Sequence, residues 1–387
     1  MLRRKIVGVL LVYAFLLPTL TFGQTAPKIY EAPKDVLDKI KDEGLNRSQV
    51  MKTLSYMSDV IGPRLTGSPG LKRANEWTRD TMASWGLQNA HLAPWGPFGR
   101  GWTLKRYYAM VDGPTAFPVI SYPKAWSPGT DTLIPPPPPV DPKAKTKPAP
   151  APASTSTAFT GEVVHFNATK EEDLEQYKGK LKGKIILMSP TREVRAWLDA
   201  PGKRYTDTEL LALADAPDPN APRRPAAAPA GAPAGGPGGN FAQAAQFNGR
   251  RMRFLVEEGA AILLDAGRGD GGTIFVQGAA AVPPATPTPG QPNPTVRDKA
   301  AKVPIQISAA VEHYNRIARM VDAGEKVTMT VDLAVEFQDA DPMAYNTIAE
   351  IPGSDKADEI VMLGGHLDSW QAGTGATDNG AGCTSVE

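Results

Sequence analysis

Hydrophobic and polar positions change period several times along the chain, and each change marks an element. Val50, Leu54, Met57 and Ile61 recur at helical spacing, and Gly62-Pro63 ends that run. Ser68 with Pro69 then reads as a helix N-cap and first turn, and Leu71, Ala74, Thr78, Met82 and Trp85 continue an apolar stripe as far as Gly86. Trp102–Val111 reads as a strand that stops at Gly113-Pro114. Short β-rich segments come next at Gly161–Phe166, Lys184–Met188 and Val303–Ile307, and Phe254–Glu258 leads through Gly259 into a further apolar run, Ala260–Leu264. Ala310, Tyr314, Ile317, Ala318 and Val321 predict a helix closed by Gly324. Strict alternation from Val327 to Phe337 predicts an antiparallel strand with one buried face, and Tyr345–Ile351 runs to the Pro352-Gly353 turn. Ile360–Leu363 is continuously apolar, the pattern of a parallel strand buried on both faces, and Gly364-Gly365 ends it.

Just beyond that last run stand His366, Asp368 and Asp378. Open α/β sheets carry their sites beyond the carboxyl ends of parallel strands. In an extended segment residues two apart share a face, so Asp368 projects beside His366 and can accept one ring N–H, leaving the other nitrogen free for a metal. Asp378 lies between the Gly373/Gly375 turn and the small-residue run Gly380-Ala381-Gly382, where a carboxylate can bridge two cations. A single His-x-Asp is common in structural roles. Here strand, glycine break, His-x-Asp, Gly-rich turn, Asp and small-residue helix start occur in order. Gly373-Thr374-Gly375 lacks the third glycine of a dinucleotide fingerprint, and no Gly-Lys-Ser/Thr triplet supports a phosphate loop.

GGHLDSW followed by GATDNGAG resembles the metal-binding segment of the M28 family of zinc peptidases, in its plasma glutamate carboxypeptidase-like branch. IGPRLTGSPG with the RANEW helix after it, and NTIAEIPG ahead of the last apolar run, extend the likeness. The resemblance implies an α/β fold with a zinc-exopeptidase-like mixed sheet and helices on both faces, here incomplete. It makes His366 and Asp378 metal ligands for Zn2+, two ions in all, and Asp368 the carboxylate that orients His366. In the family a general-base glutamate and further ligands lie downstream. They have no counterpart in this sequence, and Glu387 is not that base, so the sequence reads as the N-terminal portion of a longer enzyme, weak in metal binding and without turnover. The order GEVV, GKIILM, helix, GAAILL resembles a protease-associated (PA) domain that shapes or caps the cleft. The implied activity is hydrolysis at the end of peptides or in dipeptides. One rival is a non-catalytic binding or receptor-like protein of the same fold, against which the intact His366, Asp368 and Asp378 argue. Another is a metal-dependent cyclase or deacylase, against which the PA-like insert argues.

Composition refines this picture. The 387 residues carry a net charge of +1, which gives no electrostatic case for nucleic acid. Arg3, Arg4 and Lys5 precede an apolar run from Ile6 to Leu17, and residues 1–23 read as a cleaved secretory signal, with an uncleaved N-terminal anchor as the lesser alternative, placing the protein outside the cell or in a periplasm with no stable membrane span after cleavage. Residues 24–114 and 326–387 read as two parts of a peptidase domain, and residues 115–325 as the PA-like insert. Pro/Ala-rich loops at 135–158, 216–240 and 283–294 hold much of the high proline count of 38. Cys383, the single cysteine, excludes an intrachain disulfide and reads as a packing residue. Asn46-Arg47-Ser48 and Asn167-Ala168-Thr169 fit the glycosylation pattern. By residue type and position, His165 reads as a packed strand histidine, His313 as a helix-face residue, and Arg64 as a solvated or helix-end charge outside the site. Peptides or dipeptides are the expected partners, and a homodimer is compatible with this reading.

Overall fold

The computed structural model describes residues 32–134, 157–194, 202–214, 237–275, 277–286 and 292–386, with single positions between. The signal segment, most of the 135–158 loop and the 216–236 part of the second low-complexity stretch lie outside the described residues. The chain divides into two compact units, Met1–Met51 and Lys52–Glu387. In the first, α1 (Lys34–Asn46) buries no side chain and carries i,i+4 ion pairs of Lys34 with Asp38 and Lys39 with Asp35.

Elements come in the order α2 (Val50–Ser55), a π-turn Tyr56–Ile61, α3 (Pro69–Ser84), β1 (Gln88–Trp95), β2 (Gly101–Gly113), β3 (Phe117–Pro118), β4 (Ser121–Pro123), β5 (Phe159–His165) and β6 (Ile185–Leu187). Then come α4 (Asp207–Ala214), α5 (Pro237–Glu257), β7 (Ile262–Ala266), β8 (Ile305–Ala309), α6 (Val311–Asp322), β9 (Thr328–Gln338), β10 (Ala344–Glu350) and α7 (Ala381–Val386). As its residues predict, Ser68 caps α3, accepting from the Leu71 N–H at 3.3 Å with Pro69 in the first helical position. Leu71, Ala74, Asn75 and Thr78 form the buried stripe of α3. Trp85, assigned to that stripe from its spacing, is instead 45% exposed, because it is the C-cap, where the helix has already begun to turn away. The stripe lies on the antiparallel pair β1–β10, where the Thr347 hydroxyl donates to Asn75.

The main sheet has eight strands in the order β3-β2-β9-β5-β6-β7-β8-β4. β5, β6, β7 and β8 are parallel neighbours, while β2, β9 and β5 pair antiparallel, so the sheet is mixed. Its two faces are read from alternate residues of the same strands. Ile185, Leu187, Ile262 and Leu264 pack with Tyr314, Ile317 and Ala318 of α6, whereas Ile186 and Leu263 pack with Phe254 and Leu255 of α5. Helices therefore cover both faces of the parallel strands, the mixed α/β class expected. The alternation in β9 emerges as a strand between two antiparallel partners, with Met329, Val331 and Leu333 buried and Val327 buried just before it.

One expectation fails. Ile360–Leu363 forms no strand, and the four side chains are 74–90% exposed. A parallel strand exists only through its neighbours, because every backbone N–H and C=O needs a partner across the ladder. Among the described residues no strand runs beside this segment, so its apolar pattern finds nothing to bury against.

Candidate metal centre

The segment after Gly364 folds back on itself so that the three predicted residues meet. His366 Nδ1 lies 3.0 Å from Asp368 Oδ1, and His366 Nε2 lies 3.0 Å from Asp378 Oδ1. The carboxylate of Asp368 thus faces one ring nitrogen and that of Asp378 the other. Both flanking carboxylates and the imidazole are largely open to solvent, as a cation or substrate requires.

Three features hold this arrangement. Thr66 donates its hydroxyl to Asp368 Oδ2 at 2.5 Å, fixing the carboxylate that orients the imidazole. Asn379 Nδ2 and Cys383 Sγ both donate to the His366 carbonyl at 3.3 Å, tying the histidine backbone to the start of α7. Gly365 permits that approach, since a Cβ there would stand 3.3 Å from the Cys383 backbone nitrogen. Cys383 is buried, in keeping with a packing role.

Beneath the loop lies Arg64, whose side chain is completely buried. Its Nε donates to the Leu367 carbonyl at 2.8 Å. Its Nη1 serves Met57 at 3.2 Å, Gly62 at 3.0 Å and Thr374 at 2.9 Å, and its Nη2 serves Gly375 at 3.0 Å. The Ser369 N–H donating to the Arg64 carbonyl at 3.0 Å, and the Ser369 hydroxyl accepting from the Arg64 N–H, complete the clamp. Burial pulls the Arg64 pKa down, opposed by the neighbouring Cys383 and Asp368. Gly375 is required here twice over: its φ of +67° is left-handed, and a Cβ would stand 2.7 Å from Arg64 Nη2.

Arg64 thus corrects the reading of it as a solvated charge. No periodicity marks a buried arginine; the signal available was its place in a Gly-Pro/Thr-Gly bridge too short to form a helix or strand. Thr66 was missed for the same reason. His165 is packed as expected, with Nδ1 2.8 Å from Asp322 Oδ1 and Nε2 3.0 Å from the Ser189 carbonyl. His313 sits on the α6 face, its Nδ1 accepting from the Ile120 N–H at 2.9 Å.

An imidazole nitrogen and a carboxylate oxygen 3.0 Å apart lie within reach of a single cation whose bonds to N and O run about 2.0–2.2 Å. The donor types suit zinc. They amount to a pair, and among the described residues no group of three or more His, Cys, Asp or Glu is assembled to hold an ion.

Residues 346–386 match the family model described as Peptidase family M28. The M28-matched stretch contains His366, Asp368 and Asp378. Carboxypeptidase Q of Xenopus laevis is 43% identical over 76 residues, 19% of this chain and 16% of that protein. Carboxypeptidase Q of Mus musculus is 37% identical over 87 residues, 22% and 18% respectively. A probable leucine aminopeptidase 2 of Aspergillus oryzae is 33% identical over 79 residues, 20% and 15%. The alignments thus span less than a fifth of these relatives. Among solved structures, a peptidase M28 precursor from Shewanella amazonensis SB2B aligns with TM-score 0.46 and 20% identity, covering 89% of this chain and 60% of that one.

Proposed function

We propose that this chain carries part of the metal centre of an exported, zinc-dependent exopeptidase of the M28 type, acting on the ends of peptides or on dipeptides with two zinc ions. The observation that carries the reading is the His366 ring held between Asp368 and Asp378 within the M28-matched stretch. Bound zinc would polarise a scissile carbonyl and acidify a water.

The chain's own contribution is positional. Asp368, braced by Thr66, is placed to accept an Nδ1–H, the arrangement that presents Nε2 to a metal. Asp378 adds a carboxylate from the far side of the loop, and Arg64 fixes the loop's spacing by bonding to its carbonyls at both ends. Residues 115–325, which include strands β5–β8, are read as the PA-like insert that would shape or cap the cleft. Export rests on the basic residues and apolar run that open the sequence. No helix among the described residues is long and apolar enough to cross a membrane.

The test is zinc titration of the purified chain by calorimetry, with His366→Ala and Asp378→Ala beside it, followed by dipeptide hydrolysis with and without chelator. Saturable zinc binding lost in both variants supports the reading. Binding that survives in both, or that is absent in the wild type, overturns it.

A further inference from the structure

Away from the metal centre, a cavity of about 640 Å3 opens between the α5 face of the parallel strands and residues 279–283 and 293–297. Its floor is set by strand register. Leu263 and Asp265 point to one face of β7, and Leu263 pairs with Gln306 of β8, which lies on that face too. Arg251 and Met252 of α5 form one wall and Arg297 another.

The charges in this cavity do not balance. Lys124, Arg251 and Arg297 line it against a single carboxylate, Asp265, and that carboxylate is already paired with Lys124. Arg297 is spread over the Phe98 ring, 4.5 Å from its centroid. Arg251 is left over: it lines the cavity and, among the described residues, its guanidinium donates to nothing, its solvent-shielded Nε included. A guanidinium shielded from water and left without an acceptor is unfavourable, and ordinary folds avoid it. The contrast with Arg64, every face of which meets a carbonyl, shows that this fold can satisfy a buried arginine. Around Arg251 the lining is instead apolar, from Met188, Met252 and Leu263.

We infer that this cavity binds a small carboxylate ligand of amino-acid to dipeptide size, its carboxylate received by Arg251 and its apolar side chain lying against Met188, Met252 and Leu263. The two terminal nitrogens of a guanidinium fork match a carboxylate in two parallel hydrogen bonds. Few convergent polar groups in a largely apolar cleft is the usual make-up of a small-molecule site. The site shares no residue with the metal centre and does not depend on zinc.

The experiment is calorimetric titration of the full chain with N-acetyl-leucine, N-acetyl-leucinamide and inorganic phosphate, in the wild type, Arg251→Met and Arg250→Met. Arg250 lies next to Arg251 on α5 but pairs with Glu171 outside the cavity, so it controls for lost charge. Expected are saturable binding of N-acetyl-leucine, at least tenfold weaker binding of the amide and of phosphate, at least tenfold loss in R251M, and none in R250M. R251M should melt no lower than the wild type without ligand, since it removes an unpaired charge. Anything less than tenfold for the amide or for R251M overturns the proposal, and phosphate binding as tightly as the acid makes the cavity a general oxyanion site and overturns it as well. Should R251M not fold, Arg251→Lys decides by the same tenfold criterion, because a lysine keeps the charge and loses the fork.

Discussion

Two apolar runs of nearly the same composition meet opposite fates in this chain. Ile185-Ile186-Leu187 is β6, without exposed surface, hydrogen-bonded between β5 and β7 and covered by α5 and α6. Ile360-Val361-Met362-Leu363 is irregular and open to solvent. An apolar run is thus a demand for burial, and only the presence of neighbouring strands turns it into a β-strand. The residues just beyond the exposed run, His366 to Asp378, are nevertheless arranged. They owe this to Arg64, Thr66 and the start of α7, not to a strand end.

The largest expected effect tests the buried side of the comparison. Ile186→Asp places a carboxylate between Phe166, Phe254 and Leu263 with no partner, and should cost more than about 4 kcal/mol, enough to abolish cooperative unfolding. The same change at Val361 should alter the urea midpoint by no more than about 0.5 kcal/mol equivalent. Comparable losses at the two sites would show that the 360–363 run is buried in solution.

Second in size is Arg64→Ala. It leaves the carbonyls of Met57, Gly62, Leu367, Thr374 and Gly375 without their donor, and about 3 kcal/mol or more of stability should be lost. Zinc affinity should fall with it, because the spacing of His366 and Asp378 depends on that clamp. Unchanged zinc affinity in a folded R64A would mean the loop holds itself.

The sheet was largely legible in the residues. β2, β5, β6, β7, β8, β9 and β10 coincide with apolar or alternating runs, and α3 and α6 with 3.6-residue stripes, because each element buries one face or both against a neighbour close at hand. β1, β3 and β4 were not seen: Gln88–Trp95 shows no alternation, and Phe117–Pro118 and Ser121–Pro123 are too short for any period to show. The site was legible in His366, Asp368 and Asp378, whose chemistry is local in sequence. Arg64 and Thr66 were not, since their partners lie about 300 residues away and nothing in a one-dimensional pattern links them.

A smaller effect concerns acid. Asp332 in β9 is nearly buried and would by burial alone be raised, but hydrogen bonds from Arg106 and Thr157 and the charge of Arg106 hold its pKa below the ordinary 3.8. A carboxylate depressed in the folded state stabilises above its unfolded pKa and loses that contribution as pH falls through the folded value. Asp332→Asn should therefore flatten the stability loss of the sheet below about pH 4, read from urea midpoints at several pH values. An unchanged acid limb would place the loss elsewhere.

The smallest expected change bears most directly on the comparison. Val361→Thr exchanges an exposed methyl for a hydroxyl and breaks no hydrogen bond, so stability should stay within about 0.5 kcal/mol. Stability alone would not distinguish an idle segment from one that is loosely paired, but amide hydrogen exchange would. The N–H groups of Ile185, Ile186 and Leu187 sit inside a parallel ladder and should exchange only through global opening. Those of residues 360–363 should exchange at close to the unstructured rate. If a longer chain or a partner supplies a strand beside residues 360–363, their protection should rise towards that of β6 while protection at β6 stays fixed. Protection already present in this chain would mean that the run has found a neighbour, and that strand pairing, not the Arg64 clamp, positions His366.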